Sequence, residues 1–428
     1  MRLRDIIDVV VIGSGPSGIM AAIAAAQQGA KTLLLEKGDR PGRKLLISGG
    51  GRCNVTNARG TYHIIENTPG NGRFLHSVFA QWSNESIIDF FTSRGVALKE
   101  EDRGRMFPVS NKAKTVLDAL RREMVALDVQ ESYGEEVVEI EQTKTHWNVV
   151  TRNRKIQTHA LVIATGGCSV PQTGSTGDGY RFARGIGHTL VAPYPTSVPL
   201  TSEDSFITQG KLQGLAFRDC VLTLFDPKGK KVTKEQGDLL VTHFGLSGPV
   251  ALRISQYVVK TMAKFPQERF LPIVVDTNPT LNQEERFAFW QSAFLSSARK
   301  AIRNILREHL PDRFGELFLS EYSLDPYLEG AQVSQKMLKQ LVAWEKEWPV
   351  QVTGTLGLEK ATVTGGGIHL KEIEPTTLAS KITLGCYFCG EVLDLHAHTG
   401  GYNITVAFST GYVAGRHAAE YALYQPLG

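Results

Sequence analysis

From Asp8 the chain reads Asp-Val-Val-Val-Ile-Gly13-Ser14-Gly15-Pro16-Ser17-Gly18, passes through an alanine-rich stretch, and reaches Thr32-Leu-Leu-Leu-Glu36. No other segment limits the fold so narrowly. Val9 to Ile12 is short, rich in β-branched residues and stopped by glycine, the pattern of a buried parallel strand. Gly13 permits a sharp turn, Gly15 leaves bare backbone for a pyrophosphate, and Gly18 lets the next helix pack closely. That helix is predicted over 16–28, with Pro16 in its first turn and Gly29 beyond its end. Its unpaired N–H groups and positive dipole end attract an anion. The second strand, 32–35, ends at Glu36, whose carboxylate can accept from ribose hydroxyls and would repel a 2′-phosphate. Strand, turn, helix, strand and acid fall in order within about thirty residues, the context that makes this motif a dinucleotide site. Ser14, Pro16, Ser17 and Lys37 join Gly13, Gly15, Gly18 and Glu36 as expected contacts to the dinucleotide.

A second glycine-rich segment follows. Gly49, Gly50 and Gly51 are consecutive, with Arg43, Lys44 and Arg52 on either side. Such a loop can turn backbone N–H groups toward an anion or a flat polar ring. Leu161 to Ala164 reads as another buried parallel strand, and it runs into Thr165-Gly166-Gly167. That turn falls at the C-terminal sheet edge, where ligands bind in such folds. No helix in good register follows it, so it is not a second dinucleotide fingerprint. One fingerprint, with several glycine turns returning to one edge, suits a long cofactor lying across the domain, namely FAD.

With Gly49-Gly-Gly-Arg-Cys-Asn-Val-Thr-Asn57 directly after the dinucleotide unit, the chain resembles the bacterial HI0933-like flavoproteins. These are also called aminoacetone-oxidase-like or BaiN-like FAD-dependent oxidoreductases. The resemblance continues in Gly104-Arg-Met-Phe-Pro108, Ala164-Thr-Gly-Gly167 and Gly177-Asp-Gly-Tyr180. It runs on through Gly245-Leu-Ser-Gly-Pro249, Gly365-Gly-Gly367, Gly390-Glu-Val-Leu-Asp394 and Gly400-Gly-Tyr-Asn403. It implies contacts to FAD from Ser48, Gly49, Gly50, Gly51, Arg52, Cys53, Asn54, Thr56 and Asn57. It adds backbone contacts to the adenine near Val137, and contacts from Ala164, Thr165, Gly166, Gly167 and Gly390. In related two-dinucleotide-type flavoproteins, an acid after the last strand holds the ribityl chain or pyrophosphate edge, a role open to Glu391 or Asp394. A loop from Leu395 to Asn403 would lead into a helix from about Ile404 whose N-terminus points at the flavin, with Gly401, Tyr402, Asn403 and Ile404 as expected contacts. Asp178 either contacts the cofactor or caps the helix that follows it.

The resemblance also implies a three-part plan. The fold class is α/β, a Rossmann-like FAD-binding domain with an inserted β-barrel-like domain and a helical domain. The predicted bounds are 1–194 for the first part of the FAD domain, 195–280 for the barrel-like insert and 281–345 for the helical insert. Residues 346–357 return through the barrel, and 358–428 complete the FAD domain. Local patterns place a helix capped by Asn84, another begun by Ser110, and a meander over 136–141, 146–151 and 155–159. Short strands are expected across 216–275, and amphipathic helices near Arg299 to Leu306 and Gln332 to Trp344.

For a chain of 428 residues, 42% hydrophobic and 21% charged residues are ordinary for a soluble globular protein. A net charge of +4 suits anionic cofactors and falls far short of evidence for nucleic-acid binding. The five cysteines form no disulfide framework, so a reducing cytoplasm is expected. Cys386 and Cys389 are read as small buried residues on a strand rather than a redox pair or half a metal site. No metal site is expected. Met1-Arg-Leu-Arg4 resembles the start of a signal peptide, but Gly13, Gly15, Pro16 and Gly18 break the apolar stretch behind it. No segment offers the roughly twenty uninterrupted apolar residues of a membrane span.

The expected function is exchange of a hydride between a small organic substrate and flavin N5; the resemblance implies either an amine oxidase or an NAD(P)H-dependent enone reductase. NAD(P)H would bind transiently. His396 and His398 are candidates for proton transfer near neutral pH, or else exposed loop histidines. Tyr402 joins them as a catalytic candidate. Cys53 either meets the flavin or packs in a tight loop. His243 and Arg105 are weighed for the substrate side. The competing readings are an FAD-dependent tRNA-modifying enzyme and a flavin-binding module without catalysis. Arg299, Lys300, Arg303 and Arg307 bear on the first of these, although interspersed acid makes them a solvated helix face. Nucleic acid is therefore not the expected partner, and the oligomeric state is open.

Overall fold

A computed structural model describes residues 6–424; Met1 to Arg4 lies outside them. The described residues cluster into two compact units, one of those up to 194 together with those from 362 onward, the other of 195–361.

The first unit is built on a seven-stranded sheet. Ile7–Ile12 pairs in parallel with Thr32–Leu35 on one side and with Lys155–Ile163 on the other. Gln130–Ser132 extends the sheet beyond Thr32–Leu35. Lys155–Ile163 is one continuous strand, where the sequence suggested a meander strand followed by a separate parallel one. Its first half pairs antiparallel with Trp147–Thr151, and its last residues pair in parallel with Cys386–Phe388. The change from alternating to fully buried residues along it, Lys155 exposed and Leu161 to Ile163 at 0%, reflects these two neighbourhoods.

Helix Pro16–Gln27 packs along Tyr402–Leu423 through small residues. A Cβ added at Gly411 would lie 2.2 Å from the Ser17 carbonyl oxygen, and one at Gly415 2.0 Å from that of Ala21. The two backbones therefore touch, and the glycine spacing of one turn is what permits it. This contact holds the first and last helices of the unit against each other.

Some local readings shift. Ser83, not Asn84, caps helix Asn84–Thr92: its Oγ accepts from the Ser86 N–H in a reciprocal capping box. Asn84 is buried and donates to the carbonyls of Asn57 and Arg59 instead. The helix assigned to Ser110 starts at Ala113, because Asn111 takes a left-handed conformation. The helix expected near Ile404 starts two residues earlier, at Tyr402.

In the second unit, six strands close a barrel: Leu200–Ser202, Gly245–Ser247, Lys231–Val241, Ala216–Phe225, Leu271–Asp276 and Trp348–Thr355. Alternation along Trp348, Val350 and Val352 turns the apolar residues inward. Helices Gln283–Ser296, Ile302–His309, Asp312–Glu321 and Gln335–Lys346 belong to the same unit. The sequence drew a helical domain apart from the barrel. Trp290, Phe314 and Trp344 from the helices share one hydrophobic core with Trp348 and the barrel strands. No helix among the described residues is long and apolar enough to cross a membrane.

Candidate functional site

The glycine turn after Ile7–Ile12 separates two kinds of glycine. Gly13 has φ 102°, and a Cβ there would sit 2.6 Å from the Ala164 carbonyl oxygen. At Gly18 a Cβ would fall 1.8 Å from the Gly13 oxygen. Both are required by the protein's own packing. Gly15 is different: its φ is −73°, and nothing lies within 4 Å of an added Cβ. Nothing inside the chain demands glycine there. An approaching pyrophosphate does, so the open cradle fits the dinucleotide.

Glu36 is fixed beside this turn. Its carboxylate accepts from Ser14 N (2.9 Å), Ser14 Oγ (2.6 Å) and Gly38 N (2.7 Å). Gly42, left-handed, donates its N–H to the Ser14 carbonyl and opens helix Arg43–Ile47. Val137 is buried, and near it Glu135 is held by Arg154, Ser132 and Thr151. Burial pushes the Glu135 carboxyl up, but those three partners outweigh it and bring its pKa down to about 2.

A charged cluster joins the middle of the site. Lys44 Nζ lies 2.8 Å from Glu391 and 2.7 Å from Ser169 Oγ. Glu391 also accepts from Thr364 N (2.6 Å) and Ser169 Oγ (3.1 Å). Burial raises the Glu391 pKa, and Lys44, Thr364 and Ser169 together reverse this and lower it. Lys37 pairs with Asp178 at 2.5 Å and reaches Thr176. Gly177, not Asp178, is the N-cap of helix Asp178–Gly185. The Asp178 carboxylate is thus engaged by a cation from the dinucleotide loop and does not cap the helix. Gly167 and Gly179 press on Thr364 Oγ1 and Thr165 Oγ1, at 2.4 and 2.2 Å from an added Cβ, so this turn is tightly packed. Gly166 is left-handed, with φ 73°.

Three loops meet at the other end. In the glycine loop, Ser48 donates to the Leu45 carbonyl, and Gly49 to Gly51 all take left-handed φ values. Arg52 makes two hydrogen bonds to Glu101 and lies over the Phe107 ring at 4.0 Å. Its cation is therefore committed within the protein. Cys53 is fully buried, and burial pushes its pKa up to about 12. It is a packing thiol, not a thiolate. Thr56 bonds Thr405 at 2.7 Å, and Asn57 donates to the Gly400 carbonyl. These tie the glycine loop to helix Tyr402–Leu423, whose N-cap is left-handed Gly401. Asn403 closes the preceding loop through bonds to Ala397 and His398, with Ile404 half-buried behind it. Asn54 Oδ1, beside Gly401, and Thr165 Oγ1, beside Gly179, are each buried without a hydrogen-bond partner in the protein, which fits a bound polar group.

The two histidines are not exposed. His396 is 2% and His398 8% accessible. The His396 carbonyl accepts from Gly70 N, and its ring packs so closely on Gly70 that an added Cβ would lie 2.1 Å from Nδ1. Its Nε2 is 3.5 Å from the Tyr194 hydroxyl, with the rings edge to face. His398 N donates to Asn67, and Tyr402 Oη lies 3.1 Å from His63 Nε2. Asn71 Nδ2 donates to both the carboxylate and the carbonyl of Asp394. Arg105 pairs with Asp102, and the His243 ring meets Phe244 edge to face. Cys386 and Cys389 are buried free thiols.

Ser169, Thr364 and Tyr194 escaped the sequence reading. Each is an ordinary polar residue whose partner lies far along the chain. Thr364 adjoins the Gly365-Gly366-Gly367 run, and Tyr194 stands between Pro193 and Pro195; these neighbours were the only local signals.

The family model described as HI0933-like protein Rossmann domain matches residues 7–417. The ribosomal RNA dihydrouridine synthase of Escherichia coli (strain K12) is 31% identical over 411 residues, covering 95% of this chain and 96% of its own. The 3-dehydro-bile acid delta(4,6)-reductase of Clostridium scindens is 28% identical over 416 residues, covering 96% and 98%. Among solved structures, 3-ketosteroid delta1-dehydrogenase from Sterolibacterium denitrificans aligns with a TM-score of 0.51 at 13% identity, over 97% of this chain and 100% of that one. That likeness is one of fold.

Proposed function

The chain belongs to the HI0933-like family of FAD-dependent oxidoreductases, and from that premise we propose that it reduces a carbon–carbon double bond conjugated to a carbonyl, with uridine in ribosomal RNA as substrate. The supporting observation is what two full-length relatives share. One is a ribosomal RNA dihydrouridine synthase, the other a reductase of 3-dehydro-bile acids. The uracil C5=C6 bond is conjugated to a carbonyl, as are the double bonds of a 3-oxo steroid diene. Each is reduced by a hydride at the far carbon and a proton at the near one. The family resemblance implied a small organic molecule. The relative at 31% identity favours an RNA base instead.

FAD held at this site would supply the hydride, with its electrons drawn from NADH or NADPH. The residues of the chain do the rest. Gly13, Gly15, Gly18 and the N-terminus of helix Pro16–Gln27 hold the pyrophosphate, and Glu36 the ribose. The N-terminus of helix Tyr402–Leu423 offers unpaired N–H groups and a positive dipole end that would favour negative charge on a flavin held there. His396, hydrogen-bonded to Tyr194, delivers the proton to the near carbon. His398 and Tyr402 keep the loop that carries it in place.

Anaerobic enzyme reduced with NADPH should add two hydrogens to a uridine of unmodified ribosomal RNA, read by mass spectrometry of the digested nucleosides. Tyr194→Phe and His396→Ala should lower the rate about 100-fold, the usual reach of a general acid, and should leave the flavin spectrum in place. A second reading, a small steroid-like enone, is favoured by the relative at 28% identity. Reduction of an enone steroid with inert RNA would select it; reduction of neither would sink the proposal.

A further inference from the structure

The cations near Arg299 that first suggested nucleic acid are largely engaged within the second unit. Lys300 pairs with Glu308, and Arg307 with Glu316 and Asp312. Arg303 lies over the Tyr327 ring and donates to its hydroxyl. Another group stands apart from these. Helix Gln335–Lys346 is capped by Ser334 and turns Leu338, Leu341, Val342 and Trp344 to the core. Its own acid, Glu345, is buried against Arg286 and Trp290. Lys346 is drawn to Asp276 and to the carbonyls of Asn278 and Leu281.

The opposite face follows helical spacing: Lys336, Lys339, Gln340, Ala343. With Gln335 and Tyr322 these residues line a cleft of about 460 Å³. Both lysines are exposed, neither makes an ion pair among the described residues, and no carboxylate lines the cleft. Tyr322 is held against Phe318 and Trp344, with ring centroids 5.1 and 6.2 Å away, so its ring is a fixed wall. Two lysines alone would be a solvated helix face. A fixed aromatic ring and two amides beside them add two further kinds of recognition.

We propose that this cleft binds a single-stranded or loop segment of RNA. Lys336 and Lys339 take phosphates, Tyr322 stacks on a base, and Gln335 and Gln340 bond base edges. The inference rests on the reading of RNA as substrate and names where on the second unit that RNA is held. Reading unstacked bases through rings and amides suits RNA loops, whereas an acidic peptide would use only the lysines.

The test is binding of a fluorescein-labelled ribosomal RNA hairpin to the FAD-loaded full chain, by anisotropy over a series of KCl concentrations. Lys336→Glu with Lys339→Glu should weaken binding tenfold or more. It should also flatten the slope of log affinity against log salt by about 1.4 to 1.8, two phosphate contacts' worth. Tyr322→Leu should weaken binding with the slope retained, and Tyr322→Phe should restore it. Circular dichroism and flavin content report that each variant is folded and loaded. A charge-matched control, Lys230→Glu with Lys231→Glu, should keep the wild-type slope. Equal losses in test and control, or displacement of the hairpin by polyglutamate as readily as by unlabelled hairpin, would overturn the cleft as an RNA site. A wild-type chain that reduces RNA uridine while the cleft variants bind normally would overturn the cleft alone. A wild-type chain that binds no RNA would overturn the substrate reading and the cleft together.

Discussion

The Lys44 ammonium and the Glu391 carboxylate meet at 2.8 Å, although 347 positions separate them in sequence. Ser169 and Thr364 complete the cluster, so it ties helix Arg43–Ile47 to the segment that follows Cys386–Phe388. Lys44→Met leaves a poorly solvated carboxylate with no cation, and should cost about 1–3 kcal/mol of stability, as a lost buried partner does. Glu391→Gln should cost less, since its amide can still accept from Thr364 N. Urea unfolding of both single variants and the double variant measures the coupling. The depressed Glu391 pKa makes the contribution of the pair present above the unfolded carboxyl value of about 4.3. It is lost as pH falls through the folded value, so Lys44→Met should flatten the acid side of the stability profile.

Gly15 and Gly18 should part company on substitution. Gly15→Ala meets no atom within 4 Å and keeps an ordinary φ, so apo-protein stability should hold, or rise by about 0.4–1 kcal/mol. FAD affinity should nevertheless fall, because the added methyl fills the pyrophosphate's place. Gly18→Ala drives a methyl into the Gly13 carbonyl and should destabilise the apo-protein by about 1–3 kcal/mol or more. Thermal melts without cofactor, paired with FAD titrations, separate the two. Equal melting losses would contradict the distinction.

His188 is buried, its ring nitrogens facing Glu372 at 3.1 Å and Ser380 at 2.7 Å. Burial lowers its pKa despite Glu372. The folded chain therefore resists protonation while the unfolded chain accepts it. Stability should decline as pH falls below the unfolded histidine value of about 6.5. His188→Gln should remove part of that decline between pH 7.5 and 5.5, read as a smaller shift in urea midpoint.

The cysteines should be quiet. Burial pushes Cys53 and Cys389 up to about 12 and Cys386 higher still. Cys220 is buried as well, and only Cys168 is partly accessible. Iodoacetamide at pH 8 should add at most one label to the folded protein, counted by intact mass. Rapid labelling of Cys386 or Cys389 would revive a redox role for the pair.

What could be read from the chain was whatever a local run of residues dictates. Val9 to Ile12, the three spaced glycines and Glu36 form a complete strand–turn–helix–strand unit, because backbone freedom and apolar periodicity act over a few residues. The barrel strand Ala216–Phe225 and the C-terminal helix were legible for the same reason, whereas Lys231–Val241 read as two short strands. The division of the insert was not, because Trp290, Phe314, Trp344 and Trp348 share a core only once distant segments have packed.

The sequence by itself determined the dinucleotide turn and the order of the glycine loops around it, since glycine's conformational range and the spacing of apolar residues need no tertiary partner. Tertiary structure alone decided the charge and exposure of the candidate residues. It buried His396 against Gly70 and beside Tyr194, committed Arg52 to Glu101, and brought Lys44 to Glu391. The physical reason is that a side chain's solvation and its electrostatic partners are properties of its neighbours in space. For these residues the neighbours lie tens to hundreds of positions away.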